Sequence, residues 1–370
     1  MIKSNGLVQT KEYGLTFLPV LILLGLSLLL PGQYLWVGVS ILLVLAMLIP
    51  ECAKESDTLL PDLHLLSPEN VLIELEQLLE MSVNHNLAKS KKSRITDVSD
   101  EGKLIDYFME GLSTLGHKYN ESNHKENLSL PYQQFAFQLI GSYPQNDQIV
   151  SGSMVLLTLI AKDTRVRMRF KDNGENNGLN RPIDLLKKVL ERAKEEKDEM
   201  KEAALAEILR KGCLFLGAVC NDDNDLGLQS IIVSEGGLEL ILDAANWFRL
   251  HEDLSKWALW ATFIISYNNL RIKVELVRLQ GIQIICRLME NNRTNIEVNR
   301  HGIALLLDLM REREEDEIPW NSREIRKIAL ASGLHNRVLT AMNEFSDSMD
   351  ILMMGQQILI GTDYSGIIPQ

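Results

Sequence analysis

Few residues in this chain have the types and the spacing that catalysis requires. The seven histidines are scattered, and only His117 and His124 lie near one another, in a polar stretch. The sequence contains no phosphate-binding loop, no dinucleotide fingerprint and neither H-E-x-x-H nor G-x-S-x-G. We therefore predict that the protein is not an enzyme, and that it uses no cofactor, no metal and no small-molecule substrate.

The cysteines and the net charge argue against three further classes: disulfide-rich, zinc-binding and nucleic-acid-binding proteins. Four cysteines, Cys52, Cys213, Cys220 and Cys286, are too few and too scattered for a disulfide framework or a zinc site. Three of them lie in apolar helical stretches, where we expect buried thiols that act as small hydrophobic groups. The net charge of −12 argues against nucleic acid as a partner, because phosphate binding needs a surplus of Lys and Arg.

One segment concentrates aromatic side chains. Trp257, Trp260, Phe263 and Tyr267 recur at three- or four-residue intervals, so neighbouring rings share a helical face. Two interpretations fit: most of these rings belong to the core, or some of them form an exposed binding hot spot. We take Trp257, Trp260, Tyr267 and the adjacent Asn268 as candidate protein-binding residues.

The elements that must position these residues are helices, and they recur. From about Leu128 the apolar periodicity is helical, and a glycine link precedes each new amphipathic helix. Gly237 and Gly281 are 44 residues apart, and Gly281 and Gly333 are 52 apart. We expect each glycine to allow a sharp turn that a side chain would oppose. The clearest copies are Ser234–Leu242, Arg278–Cys286 and Ala331–Leu339, with a weaker one at Asn177–Leu186.

Two charged stretches interrupt this repeat. Arg311–Asn321 (REREEDEIPWN) reads as an insertion that accounts for the longer spacing. Glu191–Lys201 (ERAKEEKDEMK) is predicted to form an extended, exposed helix, because its charges alternate in sign.

These patterns resemble a known family of repeats. Residues 128–366 are similar to an armadillo-type array, and Lys256–Ile264 (KWALWATFI) is similar to its Trp-Ala-Leu helix. The resemblance implies an all-α, armadillo/HEAT-like helical repeat solenoid over residues 128–370. Armadillo repeats that bind extended peptides carry an asparagine four residues after that tryptophan. Here the position is Ala261, which argues against binding of nuclear signals.

The first fifty residues predict a membrane anchor. Residues 14–50 contain no charge, and two apolar runs, 14–30 and 34–49, flank a turn at Pro31–Gln33. Each run reaches about 25 Å as a helix, slightly less than a hydrocarbon core of about 30 Å. We therefore predict a two-helix hairpin that either crosses a thin bilayer or enters one leaflet as a re-entrant loop. Both geometries place the two ends of the hairpin on the same side.

The flanks of the hairpin indicate its orientation. Lys3, Lys11 and Lys54 flank the apolar runs, which favours a cytosolic N-terminus (residues 1–13) and a cytosolic soluble domain. The expected location is the endoplasmic reticulum or the mitochondrial outer membrane. Glycosylation sequons at Asn120, Asn127 and Asn292 would be modified only if the domain faced a lumen.

Residues 51–127 are predicted to be a linker with two amphipathic helices. One begins at Ser67–Pro68, which reads as an N-cap followed by a first-turn proline, and the other begins near Ser99. Residues 118–127 read as a loop. Between the helices a basic cluster either contacts anionic lipid headgroups or is a solvated loop; it consists of Lys89, Lys91, Lys92 and Arg94.

Together these features predict a membrane-anchored, non-enzymatic scaffold or adaptor that presents an armadillo-type surface to cytosolic proteins. Two alternatives stay open. Residues 224–238 and 267–269 loosely resemble Hsp70 nucleotide-exchange factors of the armadillo type, which would make the protein a co-chaperone. The hairpin could instead pack against other membrane helices, as in a structural subunit of a membrane complex.

Overall fold

The chain is helical throughout the part that the computed structural model describes. That part comprises residue 63 and residues 66–89, 98–122, 125–171, 178–221, 226–311 and 322–366, and it contains no strand. The first four helices are α1 (Pro68–Lys89), α2 (Val98–Glu121), α3 (Lys125–Ser142) and α4 (Asp147–Ile160). The all-α prediction is therefore confirmed.

The remaining helices fall into four successive groups of three. Each group has a short first helix, a second helix and a third helix that follows a tight corner. The groups are α5–α7 (Thr164–Lys171, Asn180–Glu195, Glu199–Cys220), α8–α10 (Leu226–Ser234, Gly237–Trp247, Glu252–Ser266), α11–α13 (Leu270–Arg278, Gly281–Asn291, Ile296–Met310) and α14–α16 (Ser322–Ala331, Leu334–Glu344, Met349–Gly361).

The helices pack in two rows. In the first row α2, α4, α7, α10, α13 and α16 each pack against the next. In the second row α6, α9, α12 and α15 do the same, and each of them also packs on the first-row helix that follows it in the chain. Close approach between the rows is possible because first-row helices carry glycine at the contact. A Cβ on Gly302 would lie 2.7 Å from Met289, and one on Gly355 would lie 2.6 Å from Met342.

The predicted linker contributes to this same unit. Asn70 donates its backbone N–H to Ser67 Oγ at 3.3 Å, so α1 begins at Pro68 as predicted. α1 packs on α2 and α3, and one compact unit begins at Leu63, well before residue 128. The predicted loop at 118–127 is wrong for most of its length, because α2 continues to Glu121 and α3 begins at Lys125.

The corner before a first-row helix has the same backbone geometry at four places, before α4, α10, α13 and α16. At the end of α9, Phe248 donates its N–H to the Ala244 carbonyl at 2.9 Å, and His251 donates to the Phe248 carbonyl at 2.8 Å. The same two bonds recur at three other corners, where the pairs of residues are Tyr143 and Asn146, Asn292 and Asn295, and Phe345 and Ser348. These corners give a register in which residues of different groups correspond.

The glycine links differ from the expectation in one respect. Each of the three links has one residue with left-handed backbone: Gly236 (φ 78°), Gln280 (φ 59°) or Gly333 (φ 82°). Gly281 is therefore not the residue that makes the turn. It is needed because a Cβ there would lie 2.3 Å from Leu276 Cδ1 and 2.7 Å from the Leu276 carbonyl oxygen. In this register Gly281 corresponds to Leu334, and Gly333 corresponds to Gln280.

The predicted extended helix over Glu191–Lys201 is also wrong. α6 ends at Glu195 and α7 begins at Glu199. The break is stabilised by Asp198, whose carboxylate accepts the backbone N–H groups of Met200 at 3.0 Å and Lys201 at 3.4 Å. The alternating charges therefore occupy the end of one helix and the first turn of the next.

An ion pair lies inside the packed helices. Lys273 Nζ of α11 lies 2.7 Å from Asp308 Oδ2 of α13, and the two side chains are only 5% and 9% exposed. The ammonium group also donates to the Asp308 carbonyl at 3.0 Å. This pair connects α11 and α13, which are the first and third helices of the same group.

The predicted membrane hairpin at 14–50, the N-terminus at 1–13 and most of the insertion at 311–321 lie outside the described residues. Among the helices that are described, none has the length and the apolar character that a bilayer span requires.

Candidate protein-binding face

The predicted binding residues lie along one side of α10 in the first row. Trp257 and Trp260 are half-buried and meet edge to face, with ring centroids 5.6 Å apart and planes at 88°. Phe263 and Tyr267 continue the stripe one and two turns further on, with centroids 5.5 Å apart. The opposite side of α10 is buried in the core through Leu254, Leu259 and Ile265. We call these four aromatic residues the α10 face.

The two tryptophans of the α10 face have different surroundings. The Trp260 ring packs on Gly217 of α7, where an added Cβ would lie 2.3 Å from the ring. Trp260 therefore joins neighbouring first-row helices, which agrees with the core interpretation. The Trp257 ring faces Lys256, whose Nζ is 4.7 Å from the ring centroid. Trp257 is also packed against the edge of the core, and part of its ring is exposed.

The link after α10 is held by polar contacts that account for its sequence. Gln229 of α8 is nearly buried, and its Nε2 donates to the Ile264 and Tyr267 carbonyls, both at 3.1 Å. Asn269 donates to Gln229 Oε1 at 3.1 Å and accepts the N–H of Ile272, so it caps α11. These bonds hold Tyr267, which is 36% exposed, at the surface.

Asn268 has a structural role as well as a candidate binding role. It is exposed and has left-handed backbone (φ 56°), a conformation that asparagine tolerates better than most residues. This conformation turns the chain from α10 into α11. The resemblance of residues 267–269 to a co-chaperone link therefore also follows from the local geometry of the turn.

The aromatic content of the α10 face is confined to this group. The corresponding residues of α13, 44 positions later, are His301, Ala304 and Leu307. The register of the corners gives Met354, Gln357 and Ile360 in α16. Since the same fold is built twice more without aromatic residues at these positions, packing alone does not require them in α10.

Charges of both signs border the α10 face. On α7, Glu207 accepts two hydrogen bonds from Arg210, each 2.6 Å long, which lowers the pKa of the Glu207 carboxyl. Lys211 lies 3.5 Å from the same carboxylate and donates to Ser151 of α4 at 2.6 Å. These contacts order three charged side chains on α7, the first-row helix that packs against α10.

Ala261 is fully buried in α10. The residue at this position therefore offers no side-chain group to a ligand at the surface. Of the predicted lipid-contacting residues, Lys91, Lys92 and Arg94 lie outside the described residues, and Lys89 ends α1 without a described side chain.

The described residues contain no group of three or more His, Cys, Asp or Glu side chains that could hold a metal ion. Cys213, Cys220 and Cys286 are free and buried, which confirms their predicted role as small hydrophobic groups. Burial raises the pKa of the Cys213 thiol to about 12 and that of Cys286 to about 11. Thiols in this state are poor nucleophiles.

One surface was missed in the candidate residues chosen from the sequence. Trp247 and Leu250, at the corner after α9, are 44% and 74% exposed and border a pocket of about 390 Å³. The signal that could have found them is a comparison of this corner with the other corners. That comparison needs the corner register, which the backbone hydrogen bonds supply.

Comparison with known proteins adds no relative: no protein family, no curated protein and no solved structure matches this chain.

Proposed function

We propose that this protein is a membrane-anchored, non-enzymatic adaptor that binds other proteins through an armadillo-type array. The observation that carries the proposal is the α10 face, where partly exposed aromatic residues are concentrated in a single group of the array. Aromatic side chains of this kind dominate the energetics of protein–protein interfaces.

The arrangement of the helices supports the armadillo-type assignment. Three-helix groups, of which the first helix is short, follow one another, and their third helices pack side by side in one row. Such arrays offer an extended surface whose neighbouring groups contact only each other, and they commonly serve as binding scaffolds. The anchor rests on the apolar runs at 14–30 and 34–49 and on their lysine flanks.

The proposal is tested by comparing partners recovered by wild-type protein and by Trp257→Ala/Tyr267→Ala. Trp260 is left intact because it packs on Gly217 and its loss would disturb the fold. Met168→Ala is the matched control, since Met168 is 54% exposed and lies on α5, away from the α10 face. Quantitative immunoprecipitation from membranes should show a defined set of proteins reduced about tenfold by the double change. The control should retain that set.

Retention of every partner by the double variant would contradict a role for the α10 face. Two further measurements separate the other function classes. Accelerated nucleotide release from Hsp70 by the purified protein would replace the adaptor with a co-chaperone. Migration on native gels only as one large assembly would favour a structural subunit.

A further inference from the structure

The corner after α9 forms a pocket against the start of α7. It is an open depression with a volume of about 390 Å³, near the lower end of the range for ligand-binding pockets. Ala203 and Ala206 of α7 form part of one wall, and Trp247, Phe248 and Leu250 form the other. The small alanines leave the space that the pocket occupies. Its size suits one or two large side chains better than an extended small molecule.

Large apolar side chains around this pocket are exposed to water. Trp247 is 44% exposed, Leu250 is 74% exposed, and Met200, next to the pocket in the first turn of α7, is 81% exposed. Single exposed apolar residues are common on protein surfaces, but a group around one pocket is a feature of interaction sites.

The fold itself does not need these residues. Trp247 is the last residue of α9, and the last residues of α3, α12 and α15 are Ser142, Asn291 and Glu344. Leu250 directly precedes the residue that caps α10. At the three corresponding corners this position is occupied by Gln145, Thr294 and Asp347. The chain therefore builds the same corner three times with polar residues and once with apolar ones.

The next corner carries a polar residue at the position of Phe248. Asn292 there donates its Nδ2 group to the Arg249 carbonyl and to the Leu288 carbonyl, both at 2.9 Å. Phe248 occupies the equivalent position in the α9 corner and has no donor to bridge to the preceding corner. Its ring is nearly buried, and the space beside α7 remains.

The charges at the pocket favour a basic ligand. Glu199 and Glu202 line it from α7, and neither forms an ion pair with another described residue. Exposed acids also begin α10, where Glu252 and Asp253 follow the capping His251. Arg249 is the cation among the lining residues. Two carboxylates and one guanidinium give the lining a formal net charge of −1.

We propose that this α9 corner binds a protein segment in which a bulky apolar side chain lies next to Lys or Arg. The apolar side chain enters between Trp247 and the alanines of α7, and the basic side chain pairs with Glu199 or Glu202. This proposal rests on the proposed adaptor function and names the chemistry of one partner. A lipid surface is disfavoured as the occupant, because anionic headgroups would be repelled by the same carboxylates.

The test is a selection of random peptides displayed on phage against the purified full chain, followed by affinity measurements on the enriched synthetic peptides. The key variant is Trp247→Asn/Leu250→Thr, which installs the residues that the chain itself uses at the α12 corner. It should lower the affinity at least about tenfold. Glu199→Gln/Glu202→Gln should lower it by about three- to tenfold and flatten its salt dependence. Met168→Ala, an exposed change on α5, should leave it unchanged.

Several results would overturn the proposal. One is that no peptide is enriched, and another is that enriched peptides lack the apolar–basic pattern or bind the corner variant as well as wild type. A third is Trp247-dependent binding to vesicles of phosphatidylcholine and phosphatidylserine, which would make the corner a lipid contact. If the corner variant unfolds more readily than wild type, the affinity is measured with Leu250→Thr alone, because the Leu250 side chain is largely exposed. An unchanged affinity would then overturn the proposal. If Trp257→Ala/Tyr267→Ala reduces the recovered partners and the corner variant does not, the adaptor function is supported and the proposal for the corner is wrong.

Discussion

At the scale of single residues, Gln280 and Gly281 meet two different requirements of the link between α11 and α12. The chain needs left-handed backbone at residue 280 and the absence of a Cβ at residue 281. Glutamine pays a conformational penalty in the first position, because its side chain opposes positive φ. Glycine in the second position is demanded by the backbone carbonyl of Leu276, which cannot move aside without breaking α11.

This division predicts opposite effects of two adjacent substitutions. Gly281→Ala should lower the free energy of unfolding by about 1–3 kcal/mol, because the new methyl group overlaps Leu276. Gln280→Gly should raise it, by up to about 1 kcal/mol, by removing the strain of positive φ. Urea unfolding followed by circular dichroism measures both.

Gly333→Ala is the matched control, since Gly333 has left-handed backbone but open space around its Cβ direction. It should cost only the conformational term, about 1 kcal/mol. An unchanged stability of Gly281→Ala would show that the close approach to Leu276 is relaxed in solution.

At the scale of elements, the Lys273–Asp308 pair connects α11 to α13 within the apolar interior. Removing one partner of a buried pair leaves the other charge without compensation. Lys273→Met should therefore destabilise the protein by about 3–5 kcal/mol. Lys273→Met/Asp308→Leu should recover most of this loss, because an apolar pair of similar volume replaces the ions. A double variant as unstable as the single one, measured by urea unfolding, would contradict this explanation.

His301 of α13 makes the stability of the first row depend on pH. Burial lowers the pKa of His301, with smaller contributions from Arg300 and Lys256, although Glu297 nearby acts in the opposite direction. The unfolded chain therefore binds a proton more readily than the folded protein does. The free energy of unfolding should fall as the pH decreases below about 6.5.

The variant His301→Gln should have a smaller pH slope in unfolding experiments between about pH 7 and 5. Burial also lowers the pKa of His335, so part of the slope should remain. His335→Gln/His301→Gln should flatten it further. An equally steep slope in the double variant would assign the dependence to other groups.

The sequence predicted the helical elements better than their connections. The apolar periodicity and the Ser67–Pro68 start located helices correctly, because these signals are local. The break at Asp198 was missed, although aspartate is a strong N-cap residue, because the charge pattern around it continues across the break. A cap interrupts a helix without interrupting its charge pattern.

The candidate site was predicted only in part, because local spacing does not show how neighbouring groups pack. Spacing placed Trp257, Trp260 and Tyr267 on one face of a helix, and the structure brings them together on α10. Spacing could not show that Trp260 locks onto Gly217, 43 residues earlier, or that the α9 corner is open. Both depend on how neighbouring groups stack, which a single helix does not encode.

At the scale of the whole molecule, the structure changes how the proposed cytosolic orientation can be tested. Asn120 and Asn127 are exposed, whereas Asn292 is 2% exposed and uses its amide to hold two carbonyl groups. Absence of a glycan at Asn292 would therefore say little about the side on which the domain lies. The sequons at Asn120 and Asn127 are the ones to test.

For a cytosolic domain, we expect no glycan at Asn120 or Asn127 and complete digestion of the domain by protease added to intact organelles. Asn127→Gln provides the control, because it should not change electrophoretic mobility if the site is unmodified. A mobility shift removed by a glycosidase, together with protection from protease, would place the domain in a lumen.

The neighbour-to-neighbour packing of the two rows has a consequence for how the protein is made. Among the described helices, each first-row helix packs chiefly on helices near it in the chain, and α16 packs chiefly on α13 and α15. Contacts of such short range along the chain are formed quickly. The groups nearest the N-terminus contain all of their packing partners before the last helices are synthesised, so they can fold on the ribosome while translation continues. The α14–α16 group packs on the α11–α13 group that precedes it in the chain, so its ordering should follow that of its neighbour.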